Sequence, residues 1–244
     1  MSVYDPFAED YDVWAADMTD DVGWYVELAR QAEEPIVELA VGTGRVAAAV
    51  AQETGKRVIG IDASAAMLAV ARERVAGLPV ELFEGDMRDF AVEEPVDLVI
   101  CPGRSLLHLP TWRDRRLVFE RVTAALRPGG RFAWNAFVFS STIAARLDGN
   151  RNQRTNGLWE EVRYVHADSR IELARGRGES TLGTICLWWT TKSEWEGLIE
   201  VAGLEIEAER TLQPPRSADA ERLTVRLWLL RARPRSATRA AAVA

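Results

Sequence analysis

Cysteine is scarce: two in 244 residues, Cys101 and Cys186, far apart and each inside an apolar run. That spacing offers no metal-ligand set, so two free thiols in a reducing compartment are expected. No stretch approaches the roughly 20 apolar residues a membrane span requires. The acidic opening, MSVYDPFAEDYD, has no apolar signal core either. Clustered basic charge is missing before the last residues. With 30 Lys and Arg against 37 Asp and Glu, the formal charge is −7, which argues against nucleic acid as a partner. There are no internal repeats. What the chain has in quantity is apolar residues, 48% of the total, enough for a substantial core in one elaborated α/β domain. A cytoplasmic protein is the expectation.

Along the chain the pattern alternates. Tyr4, Phe7, Tyr11 and Trp14 recur at helical spacing, predicting a helix over 3–18. A second helix is expected to start near Thr19-Asp20-Asp21. Strands are predicted at 36–40, 57–61, 80–83, 96–101 and 130–139, with helices between them. Ser64 can cap one helix, and another, over 112–126, presents Leu117, Val118, Val122, Ala125 and Leu126 before RPGG stops it. Repeated strand–helix units imply a parallel sheet covered on both faces. Between about 140 and 190 the rhythm gives way to short alternating segments, which predict an inserted antiparallel layer. A helix over 191–201 and strands at 204–212 and 223–232 complete the pattern, and 233–244 reads as a loose tail.

The chemistry concentrates at VELAVGTGR, residues 37–45, where a strand runs through a glycine turn into a helix. That geometry brings a ligand close to backbone N–H groups. A Walker loop would close on Gly-Lys-Ser/Thr, and here Gly44 precedes Arg45. A dinucleotide loop fits through Gly42, Gly44 and Ala47, with Asp62 ending the next strand. A third reading is a nucleoside ligand without phosphate. Glu38 would repel a diphosphate but favour a cation. Asp62 can accept both ribose hydroxyls, and Asp86 with Met87 offers an acceptor and an apolar flank to an adenine.

In order and spacing these residues resemble the class I S-adenosylmethionine-dependent methyltransferases, over about 34–139. The family's E/D-x-G-x-G-x-G appears as Glu38 to Gly44 with Ala40 in place of the first glycine. The resemblance implies a Rossmann-like, seven-stranded, mostly parallel sheet with helices on both faces, an N-terminal helical lid and the small antiparallel β insertion. It divides the chain into 1–139 (lid and cofactor-binding core), 140–190 (insertion), 191–232 (completion of the core) and 233–244. It further implies S-adenosylmethionine as cofactor and S-adenosylhomocysteine as product. The cofactor would contact Tyr11, Glu38, Ala40, Gly42, Gly44, Arg45, Asp62, Ala63, Met67, Asp86, Met87 and Pro102. The opening YDPFAEDYDVW resembles the lid of small-molecule members.

Methyl transfer then needs alignment, and a base only for a protonated acceptor. His108 in CPGRSLLHL is the candidate base, since an ordinary imidazole titrates near neutrality. Arg104 and Asn135 are candidate acceptor contacts at the same sheet edge. The expected partner is a small-molecule acceptor, methylated on nitrogen ahead of oxygen. No metal, nucleic acid or membrane is expected. The arginine- and tryptophan-bearing insertion is read as an acceptor cap or a homodimer contact. An NAD(P)-dependent oxidoreductase and a catalytically inactive cofactor-binding protein remain the alternatives.

Overall fold

The computed structural model describes residues 2–212 and 225–233. A 3₁₀ turn, Asp5–Phe7, and a single α turn, α1 (Tyr11–Trp14), open the chain. They do not form the continuous helix predicted over 3–18. The break lets Asp5 reach Ser64 while Asp12 reaches Thr43 and Arg74. The four aromatics still gather, Tyr4 edge-on to Tyr11 and Phe7 edge-on to Trp14. Helix α2 (Val22–Arg30) follows.

The core then alternates: β1 (Ile36–Leu39), α3 (Arg45–Thr54), β2 (Val58–Asp62), α4 (Ala65–Arg74), β3 (Val80–Glu84), β4 (Val96–Cys101), α5 (Trp112–Ala125) and β5 (Leu126–Phe137). Ser64 caps α4 as expected, accepting from the Met67 N–H at 3.1 Å. Two details differ from the sequence pattern. Leu117 is 37% exposed and faces out from α5. RPGG lies inside β5, at the register shift against β4, rather than between helix and strand.

Next come α6 (Ser141–Leu147) and the insertion strands β6 (Arg151–Gln153), β7 (Leu158–Val165), β8 (Arg170–Arg177) and β9 (Ser180–Trp188). These four form their own antiparallel sheet, as predicted. Gly176 makes room for the Trp159 indole, because a Cβ there would come within 2.2 Å of it. Arg151 covers the Trp159 ring at 3.9 Å. Helix α7 (Lys192–Val201) starts with a reciprocal Thr191–Glu194 capping box, worth about 1 kcal/mol. The last strands are β10 (Leu204–Leu212) and β11 (Val225–Ala232). Leu223 of the predicted final strand and residues 234–244 of the predicted tail lie outside the described residues.

The main sheet has the order β10-β11-β5-β4-β1-β2-β3. Strands β1 to β5 run parallel, and β11 is antiparallel to both neighbours. Alternate residues feed two cores. On β1 and β4, Val37, Leu39, Val99 and Cys101 join one, while Ile36, Leu98 and Ile100 join the other. Both strands are therefore almost wholly apolar. Chain order reverses between β1 and β4, and in such sheets ligands gather at the carboxyl ends of the strands there.

Candidate active site

Strand β1 ends by turning into the left-handed region. Ala40 has φ 54°, Gly42 57° and Gly44 77°. For Ala40 this conformation costs about 1 kcal/mol. Gly44 is held by packing as well: an added Cβ would meet Ala71 and Val75 of α4 at 3.3 Å. Asp62, at the end of β2, ties the loop in place. Its Oδ2 accepts from the Gly42 N–H and its Oδ1 from the Ser64 N–H, both at 2.8 Å. Burial pushes the Asp62 carboxyl up, against backbone bonds from Ser64, Gly42 and Ala63.

Beneath this loop is a group of polar atoms without hydrogen-bond partners among the described residues: Glu38 Oε2, Asp21 Oδ1, the Tyr25 hydroxyl and Arg45 Nη1. Glu38 is 2% exposed. Burial pushes its carboxyl well above the usual range, with Arg45 opposing and Asp21 and Asp62 reinforcing the shift. Arg45 Nη1 stands 3.6 Å from Asp21 Oδ1. Asp21 was read from sequence only as a helix start, and it makes no cap bond. Its other oxygen instead accepts from Asn135 Nδ2 at 2.6 Å. Asn135 Oδ1 in turn accepts from the Arg104 N–H at 2.6 Å. Asn135 thus braces Asp21, with both ends of its amide engaged, and it also lines the cavity described below. Arg104 lines the cavity described below, and its guanidinium reaches Met18 Sδ.

Past β3, Asp86 is gripped by the neighbouring Arg88, which binds both carboxylate oxygens and also Asp114 at 2.9 Å. The pairing holds Asp86 below the usual carboxylate range. Met87 beside it is half-buried, and Met67 is buried in the first turn of α4. Pro102, just after β4, is buried, with its carbonyl taken by the Ser105 hydroxyl at 2.6 Å. Because β1, β2 and β3 are parallel neighbours, Glu38, Asp62 and Asp86 share one edge.

The lid closes over this edge. Asp5 accepts from the Ser64 hydroxyl at 2.6 Å, Asp12 accepts from the Thr43 hydroxyl at 2.7 Å, and Arg74 clamps Asp12 from α4. Between lid, β5 and insertion sheet is a cavity of about 810 Å³. Tyr4 and Tyr11 reach it from the lid, Asp21, Arg45 and Arg104 from the core side, and Tyr164, Ile171, Leu173 and Ile185 from the insertion. Trp188 and Trp189 do not line this cavity. Trp189 stacks on Phe139 with centroids 4.4 Å apart. His108 is at the wall, but its Nε2 already meets the Tyr4 hydroxyl at 3.0 Å. Desolvation, with the nearby Arg175 charge, pulls its pKa down to about 4. With its other ring nitrogen turned to the Cys186 backbone, a neutral imidazole there can accept from Tyr4 through Nε2, and it is a much weaker base than its unperturbed counterpart.

Residues 36–130 match the Methyltransferase domain family. The cypemycin N-terminal methyltransferase of a Streptomyces species is 30% identical over 227 residues, which is 84% of this chain and 88% of that protein. The chain belongs to the class I S-adenosylmethionine-dependent methyltransferases. A dTDP-4-amino-2,3,4,6-tetradeoxy-D-glucose N,N-dimethyltransferase of Saccharopolyspora spinosa is 33% identical to this methyltransferase over 141 residues, 53% of the chain; the match spans about half, 54%, of that relative. The S-adenosylmethionine-bound structure of CalS10, an amino pentose methyltransferase from Micromonospora echinaspora, shares the fold. Its TM-score is 0.63 at 21% identity, covering 89% of this chain and 91% of that one.

The unpartnered atoms of the methyltransferase suit the charges of S-adenosylmethionine. Glu38 presents an acceptor for a cation, and Arg45, beside its 3.6 Å pair with Asp21, presents a donor for a carboxylate. Among the described residues no group of three His, Cys, Asp or Glu could hold a metal ion. None of their helices is long and apolar enough to cross a membrane.

Proposed function

We propose that this methyltransferase moves a methyl group, in line, to a nitrogen of a small-molecule acceptor held in the 810 Å³ cavity. S-adenosylmethionine supplies a methyl group already activated by positive sulfur. Arg45 would hold the carboxylate of its amino-acid end, and Glu38 the ammonium. The Ala40–Gly44 backbone makes room for close approach, Asp62 and Ala63 receive the ribose, and Asp86 with Met87 receives the adenine. Tyr11, on the lid at the cavity wall, offers an aromatic face to the sulfonium.

The observation that carries the nitrogen reading is Asp21. It lines the cavity, is 7% exposed, and its Oδ1 faces Arg45 Nη1 at 3.6 Å without a hydrogen bond among the described residues, while Asn135 fixes its Oδ2. A carboxylate so placed attracts an ammonium and orients it, whereas a hydroxyl acceptor gains less from it. The named activities of the relatives, on a sugar amine and on a peptide N-terminus, agree with this reading. The side chains supply alignment and exclusion of water, effects of up to roughly 7–11 kcal/mol in favourable cases.

The test is methyl transfer measured by S-adenosylhomocysteine release, with paired acceptors differing only in amine or hydroxyl at one carbon. Amino sugars and peptide N-termini are the first acceptors to try. Turnover of the amine member, rising with pH as the amine loses its proton, is expected. Turnover of the hydroxyl member alone would overturn the nitrogen assignment. Tight S-adenosylhomocysteine binding without turnover of either would favour the inactive binding protein.

A further inference from the structure

Arg175, on β8 of the insertion, is the least accommodated charge among the described residues. It is 0% exposed, and Nε, Nη1 and Nη2 make no well-formed hydrogen bond among the described residues, although the Tyr4 hydroxyl and the Glu160 carboxylate are near enough to favour its charge. Burying an arginine without hydrogen bonds is costly, so its surroundings must offset the cost in another way. They are aromatic. The guanidinium carbon is 4.0 Å from the Phe7 ring centroid, 4.8 Å from Tyr4 and 5.1 Å from Trp14. All three rings belong to the lid. Directly across the β7–β8 ladder is Glu160, which accepts from the Trp14 indole N–H at 2.8 Å.

The same lid segment is tied on its other side to the cofactor loop, through Asp5 to Ser64 and Asp12 to Thr43. Fixing these rings therefore fixes the closure of the cofactor site.

We propose that Arg175 is a positioning residue: its guanidinium, caged by Tyr4, Phe7 and Trp14, latches the lid shut, so that the insertion sheet sets how long the cofactor stays bound. The lid cannot lift off the glycine loop without drawing three rings away from a buried cation. Arg177 to Asp10 and Arg154 to Asp17 and the Trp14 carbonyl guide the lid into the same seat from more exposed positions. Arg175 does not line the cavity and does not touch the acceptor, so it acts through the lid alone.

The inference rests on the cofactor lying between lid and loop, and the wild-type protein tests that separately. S-adenosylhomocysteine must bind it and quench or enhance tryptophan emission; absence of binding would defeat the functional reading itself. Release is then timed by stopped-flow displacement in wild type, Arg175→Met, Arg175→Lys and Phe7→Leu. Desolvated cation–π contacts predict release about tenfold faster or more in Arg175→Met, with partial recovery in Arg175→Lys. KM for S-adenosylmethionine should rise in step with the release rate, with a smaller change in kcat. Should Arg175→Met fail to fold, Phe7→Leu removes the 4.0 Å contact from the lid side and must also speed release. Lowered thermal stability with wild-type release rates in the folded variants would overturn the proposal and leave Arg175 a packing residue.

Discussion

The two sheets treat charge in opposite ways. On the insertion sheet, charged side chains pair with one another at the surface: Arg163 and Arg170 share Glu172, Arg170 also binds Asp168, and Arg151 binds Glu161. At the carboxyl edge of the main sheet, carboxylates are buried with few hydrogen bonds: Glu38 Oε2 has none among the described residues, and Asp21 Oδ1 has only Arg45 at 3.6 Å. Paired surface charge contributes little to stability or to binding. Unpaired buried charge is expensive, and the expense is tolerable where a ligand brings the missing partner. The contrast fits the proposed roles, the insertion sheet as acceptor cap and the carboxyl edge as cofactor-binding edge. Arg175 is the exception that joins them.

The strongest way to break this contrast is Glu38→Gln. Losing a buried carboxylate that meets a cation should weaken S-adenosylhomocysteine binding by roughly 10- to 100-fold in calorimetry. The apo protein should respond in the opposite direction. Burial raises the folded pKa of Glu38 above its ordinary 4.5, so above that pH the unfolded chain releases a proton the folded chain keeps. Wild-type stability therefore falls as pH climbs past 4.5, and Glu38→Gln should be the more stable apo protein in thermal melts at pH 7–8. A variant less stable than wild type there would mean that the buried carboxylate is a structural asset.

Next in size, Asp62→Asn turns an amide donor toward the Gly42 or Ser64 N–H and removes one of the two bonds that shape the loop. About tenfold weaker S-adenosylhomocysteine binding is expected, again by calorimetry.

His108 separates the base role from the structural one. A catalytic imidazole of ordinary pKa would put a step in kcat near 6.5; with its pKa near 4 and Nε2 on Tyr4, no such step should appear between pH 6 and 8. In melts, the unfolded chain protonates His108 below 6.5 while the folded chain resists until about 4. Wild-type stability should therefore fall as pH drops through that window, and His108→Gln should lose part of the fall.

The smallest effect sharpens the comparison from the other side. Arg163 is 65% exposed in its pair with Glu172, so Arg163→Ala should cost less than about 0.5 kcal/mol and leave S-adenosylhomocysteine affinity unchanged.

The strand–glycine–helix loop and the Ser64 cap were legible because their constraints are local. A glycine turn needs particular letters, a cap needs Ser64, and carboxylates at successive strand ends keep a fixed spacing. The antiparallel insertion was legible for the same reason, since alternation shows in eight residues. What escaped depends on residues far apart in sequence. Asp21 is held at the cavity wall by Asn135, 114 positions away. Asp86 was read without Arg88, although the partner is two residues on, because nothing in the spacing tells a salt bridge from a solvated arginine. Arg175 sits in an ordinary alternating strand, and its burial is set by the lid at the other end of the chain. The lid itself misled because three-and-four spacing survives when a helix breaks into two turns on the same side.

Ala40 carries one more consequence. An L-amino acid stands where the backbone turns left-handed, in the seat that relatives of this kind give to glycine, and the turn keeps its course. What the turn requires at that place is a torsion angle, for which glycine is merely the cheapest occupant. A search that insists on the letter would pass this enzyme by, while one that asks how the chain bends would find it.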